Sequence, residues 1–142
     1  MALLGGFISS VGVPVRVSGD SDDIIIGDKD TTFHASADGN IAIGIDALDA
    51  TSGAAIKNVA IGTNALTGVT TGDNNIAIGY GAGVAMTDNE LNVVIGSTAF
   101  DAADAGENRN VVIGALAGSA VNHGDSDNNV IIGYTAGLGG TN

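Results

Sequence analysis

Cysteine is absent from this chain, which excludes a disulfide scaffold and any thiolate metal centre while leaving the redox compartment open. Tryptophan is absent too, and five aromatic residues (Phe7, Phe33, Tyr80, Phe100 and Tyr134) are all that its 142 residues offer. A core built on large rings is therefore not available. Basic residues are scarce, four against sixteen acids, so the net charge is −12. That balance argues against nucleic acid or an anionic membrane as a partner, since both require basic surface. No apolar run is long enough to insert in a membrane. The apolar start up to Val15 is broken by glycines and lacks the basic opening of a secretory leader. The expected place of assembly is the cytoplasm.

What the chain does have is glycine, 23 residues of it, and small or β-branched aliphatics in a written-out repeat. The motif is Asn, three apolar residues ending in Ile, Gly, two variable residues and Ala. It occurs at 40–47, 58–65, 75–82, 92–99, 110–117 and 129–136, and a partial copy with Asp23 in the Asn place covers 23–27. The marker glycines, Gly27, Gly44, Gly62, Gly79, Gly96, Gly114 and Gly133, are spaced by 17 to 19 residues. A fixed period of this size means one structural unit stacked on copies of itself. An all-β solenoid of about seven coils is expected, because Ile, Val and Ala suit flat strands packed in layers. At about 4.8 Å per stacked strand, such a column stands only about 30 Å tall.

Two regions follow from the repeat: an apolar arm at 1–22 and a solenoid domain at 23–142. In the arm, Val11, Val13, Val15 and Val17 alternate with Gly12, Pro14 and Arg16, a period-2 strand signal that Pro14 places at an edge or in an extended arm. Leu3, Leu4, Phe7, Ile8, Val11, Val13 and Val15 read as a docking arm or self-association plug, or else as a strand that caps the first coil. The loops between repeats carry Thr, Asp, Gly and Asn, as surface turns do.

Within each strand triplet the first and third residues face one way and the middle residue the other. The larger first and third residues, such as Ile41 and Ile43, are expected to fill the coil. The middle residues Ala42, Ala60, Ala77, Val94, Val112 and Ile131 are then expected to face outward, and none is polar. An outer face without a polar residue needs cover, so these six are the expected interface with other copies of the chain. The repeated Asn is expected to stack from coil to coil as a hydrogen-bonded ladder.

The motif Asn-x-x-Ile-Gly-x-x-Ala, as in Asn75–Ala82 and in 58–66, resembles the head repeats of trimeric autotransporter adhesins of the YadA-like type. It looks closer still to the longer-period variant of phage tail fibres and bacterial surface proteins. The resemblance covers about 115 of the 142 residues. It implies a left-handed parallel β-roll, three of which pack side by side or intertwined as a homotrimer with strands facing the three-fold axis. The period here is longer than in the adhesin heads, and no coiled-coil stalk or outer-membrane anchor is visible. These departures favour a virion part assembled in the host cytoplasm over a secreted adhesin on a bacterial surface.

Other chemistry is weakly signalled. A hexapeptide-repeat acyltransferase would need an aliphatic residue six positions after each coil isoleucine. Only Val84 and Leu138 comply, whereas Asp49, Thr67, Asp101 and Ser119 do not. His34 and His123 read as solvated loop residues. Asp125 and Asp127 have the spacing of divalent-cation ligands, but Val130 stands where a calcium loop turns on Gly and no closing Glu follows, so no metal site is expected. Asp20, Asp22 and Asp23 form a second, weaker cluster. No nucleotide fingerprint accompanies the glycines at 79–83. The expectation is a non-enzymatic structural protein without a cofactor: a short trimeric fibre, spike or decoration whose arm docks on capsid or tail proteins. The alternative is an adhesin module whose loops, with Tyr80 and Tyr134, bind a host glycan or receptor.

Overall fold

The computed structural model describes residues 15–17, 22–27, 37–50 and 55–138. Among these residues eight short strands form one sheet: β1 (Val15–Val17), β2 (Ile24–Gly27), β3 (Ile41–Gly44), β4 (Val59–Ile61), β5 (Ile76–Ile78), β6 (Val93–Ile95), β7 (Val111–Ile113) and β8 (Val130–Ile132). They lie in sequence order. Strands β2 to β8 are parallel and in register, so that Ile41, Val59, Ile76, Val93, Val111 and Val130 form one row. Each coil contributes one strand, and the chain winds a β-solenoid of about six turns. The predicted repeat architecture is present.

The β1 strand runs antiparallel to β2, with Val15 opposite Ile26 and Val17 opposite Ile24. It covers the free edge of the first coil as a cap does, directly after Pro14. The rest of the arm, with Leu3, Leu4, Phe7, Ile8, Val11 and Val13, lies outside the described residues, as do Asp20 and His34.

The strands face the opposite way from the expectation. Ala42, Ala60, Ala77, Val94 and Val112 are 0–1% exposed and belong to the core, and Ile131 in the last coil packs against it. The first five are interior residues that leave no surface for another chain, and Ile131 is partly buried with them. The first and third residues of each triplet point outward. Parity is set by the asparagine. Asn40, Asn58, Asn75, Asn92 and Asn110 are buried, and side-chain alternation then puts the residue two positions later inside as well. The same core holds Leu48, Leu66, Met86 and Phe100, all fully buried, which share it with these small middle residues.

The asparagines form the expected ladder. Asn58 Nδ2 donates to Asn40 Oδ1 at 3.3 Å, Asn75 Nδ2 to Asn58 Oδ1 at 3.1 Å and Asn92 Nδ2 to Asn75 Oδ1 at 3.1 Å. Each Oδ1 also accepts the backbone N–H of the next Asn, at 2.9 to 3.0 Å in these coils. The second Nδ2 proton goes to a loop carbonyl of the same coil, Ala55, Gly72, Asn89 or Glu107. The ladder starts at Asp23, whose Oδ1 accepts the Asn40 N–H at 2.6 Å. An acceptor-only side chain suits that first place, where no earlier Asn Oδ1 awaits a donor.

The marker glycines form a second column. From Gly27 to Gly114 their φ angles lie between +133° and +140°. A Cβ built on Gly62 would stand 2.4 Å from the Gly79 carbonyl oxygen, so the coils approach too closely there for any side chain. Further positive-φ corners recur in each coil. Asp46, Asn64, Gly81, Thr98, Leu116 and Thr135 occupy one, and Lys57, Asn74, Leu91, Arg109 and Asn128 another. Leucine and threonine rarely adopt this region. Coil-to-coil bonds hold them there, among them Leu116 N–H to the Ser97 carbonyl at 3.0 Å and Leu91 N–H to the Asp73 carbonyl at 3.0 Å.

Candidate functional surface

Outward on the strands lies a stripe made only of isoleucine and valine. It runs through Ile24 and Ile26, Ile41 and Ile43, Val59 and Ile61, Ile76 and Ile78, Val93 and Ile95, Val111 and Ile113, and Val130 and Ile132. All are half-buried or exposed. Their spacing puts two branched aliphatics on every rung of a flat parallel ladder. No acid lies in any of these strands; those among the described residues sit in loops and turns, as Asp49, Asp73, Asp88 and Asp104 do. A chain of net charge −12 thus keeps one uncharged strand face from β2 to β8. Ile45 and Tyr80, each directly after a marker glycine, are exposed as well.

The apolar surface expected from the sequence therefore exists, built from the other residues of each triplet. The missed signal was the Asn itself. A ladder amide has to be inside to bond its neighbours in register, and that fixes the direction of the next three residues.

Of the candidate cation ligands, Asp125 is exposed beside His123, whose Nδ1 lies 3.9 Å from its carboxylate. Asp127 is engaged elsewhere. Its Oδ1 accepts the Asn108 N–H at 2.7 Å, and its Oδ2 pairs with the Arg109 guanidinium. The Asp127 bond belongs to a second side-chain ladder, in which Asp73 Oδ1 accepts the Ile56 N–H and Asn108 Oδ1 the Glu90 N–H. Among the described residues no group of three or more His, Cys, Asp or Glu side chains is placed to hold a metal ion. Nor is any described helix long and apolar enough to cross a membrane.

One buried acid carries no signal in the sequence. Glu107 is fully buried, its Oε2 accepts from Asn89 Nδ2 at 2.8 Å, and its Oε1 has no hydrogen-bond partner. Tyr80 and Tyr134 are both exposed and lie one residue after a marker glycine, two coils being interposed between theirs. A scan against protein-family models, a search of curated proteins and a search of solved structures return no match to this chain.

Proposed function

We propose that this protein is a non-enzymatic structural element, a short column in which three copies pack their Ile/Val strand faces against a common axis. The observation that carries the reading is the outward stripe of isoleucine and valine on every strand from β2 to β8. Isolated apolar side chains on a surface are ordinary, but a contiguous face of this height marks an association site. Three-fold packing is what the YadA-like resemblance implies. It also suits short, flat strands that lack polar residues on that face. The column serves as a fibre, spike or decoration of a phage-like particle, with the acidic loops outward and the N-terminal arm as its attachment to capsid or tail proteins. Light scattering and native mass spectrometry on the purified chain test the assembly, with a trimer expected and a monodisperse monomer overturning it. Removing residues 1–14 is expected to spare the trimer and abolish incorporation into the particle.

A second reading, in which the column binds a glycan on a host surface, is supported by exposed Tyr80 and Tyr134. Aromatic side chains that join an apolar ring to a polar tip suit such contacts. A glycan array with the Tyr80→Ala and Tyr134→Ala variants as controls separates the two readings.

A further inference from the structure

Among the described residues the sheet ends in two strand edges, β1 and β8, and they match. In β7 the Val111 N–H donates forward to the Asn129 carbonyl, and the Ile113 carbonyl accepts the Gly133 N–H. First and third residues of each triplet therefore direct their backbone groups to the following coil. In β8 those residues are Val130 and Ile132, and no strand comes after it among the described residues. The end coil is correspondingly open. Val130 and Ile132 are 70% and 62% exposed, against 38% and 36% for Ile76 and Ile78 in mid-column.

At the other end β1 lies on β2 with Arg16 opposite Ile25. Backbone groups of successive residues point to opposite edges. Ile25 is a middle residue, so its N–H and C=O face back toward β1 and Arg16 is the residue that meets them. The N–H and C=O of Val15 and Val17 then face the outer edge of β1. Each end of the column thus offers two outward residues flanking one inward residue, on strands of three.

We propose that columns join end to end, with β8 of one copy taking β1 of the next as its antiparallel neighbour. Val130 would stand opposite the next copy's Val17 and Ile132 opposite its Val15. Each of these pairs would exchange two backbone hydrogen bonds, and the sheet would continue unbroken from copy to copy. A coil of the next copy cannot dock on β8 directly, because β1 already covers the edge of its first coil. Strand edges that no described residue pairs are the usual site of strand addition. The contact is heterologous, so it propagates. It rests on strand edges alone and goes beyond the side-by-side packing proposed above.

The test is analytical ultracentrifugation and negative-stain electron microscopy of the purified chain over a range of concentrations. The expected result is a series of particles whose masses are multiples of one column and whose lengths grow in steps of about 40 Å. Val130→Pro removes a donor from the outer edge of β8, and Val17→Pro removes one from the outer edge of β1. Each variant, checked for native circular dichroism, is expected to stay at one column length. A mixture of the two is expected to give double-length particles and no longer ones, because one good edge of each kind remains. A wild-type chain that stays at one column length at every concentration overturns the proposal. So does a length series that persists in both variants. If strand-face packing fails instead, the steps in length remain and only the particle width changes.

Discussion

Replacing Gly79 by alanine tests the claim that the glycine column sets the coil spacing. Gly79 has φ +138°, in a region essentially reserved for glycine, and forcing another residue there costs about 1–3 kcal/mol. The new Cβ would also stand 2.5 Å from the Gly96 carbonyl oxygen, a rigid backbone atom. Restoring ordinary contact requires the two coils to part by about 0.9 Å. The bond from Gly96 N–H to the Ile78 carbonyl, 2.8 Å long, lies beside this corner and would stretch beyond bonding distance. Its loss and that of one neighbouring bond add about 1 kcal/mol each. The expected total of about 3–5 kcal/mol is a large share of the stability of a typical domain. It corresponds to a fall in melting temperature of roughly 10–20 °C. The control lies two residues away. Gly81 has φ +59°, and its built Cβ meets nothing closer than Thr98 Cγ2 at 3.6 Å. Asp46, Asn64, Thr98, Leu116 and Thr135 fill the same corner in other coils. Gly81→Asn should therefore change stability by less than about 1 kcal/mol, aided by lower entropy of the unfolded chain. Thermal unfolding followed by circular dichroism, at matched concentration and oligomeric state, reads both variants. Equal losses in the two, or a Gly79→Ala protein melting within a few degrees of wild type, would refute the reasoning.

Other substitutions probe the ladder, the corners and the two strand faces. Asn75→Ala strands the buried Asn92 N–H and Asn89 carbonyl that its amide serves, so a loss of about 3 kcal/mol is expected in denaturant unfolding. Leu91→Asn is expected to stabilise by up to about 1 kcal/mol in calorimetry, because Leu91 is exposed at φ +61° and Asn tolerates that conformation. Val94→Asp and Ile95→Asp should behave differently although adjacent. The first places an unpaired charge in the core and should unfold the chain, whereas the second should leave the circular dichroism native and dissociate the assembly to monomers in light scattering. A folded Val94→Asp trimer would contradict the inward orientation of the middle residues.

Much of the architecture is legible in the residues. The spacing of Gly27 through Gly133 predicts one coil per repeat, and the structure has one strand for each. The recurrent Asn predicts a ladder, and from Asn40 to Asn110 each side-chain Oδ1 accepts the N–H of the next Asn in register. Pro14 predicts that the strand it adjoins lies at an edge or in an extended arm, and β1 is an edge strand of the described sheet. Other features carry no local signal. Leu48, Leu66 and Phe100 have positive φ, contrary to their intrinsic preference. They are held there because their N–H groups bond the next coil at 2.8 to 3.0 Å and their side chains fill the core. Space for them comes from elsewhere in the stack. A Cβ on Gly118 would meet Phe100 Cδ2 at 3.0 Å, so a large residue in one coil depends on a glycine in the next.

The period, the single strand per coil and the placement of charge in the loops were determined by the sequence alone, because each depends only on residue types recurring at fixed intervals. Which side of the strand is the inside was decided by the tertiary structure. Both faces are apolar, so alternation is equally satisfied either way round, and a strand carries no information about parity when neither face is polar. Two constraints from outside the strand break the tie. The ladder asparagines must meet within the column, and Leu66, Met86 and Phe100 fill the core beside the small Ala77 and Val94 side chains. The larger residues are thereby turned outward, and they make the apolar face on which the proposed assembly rests.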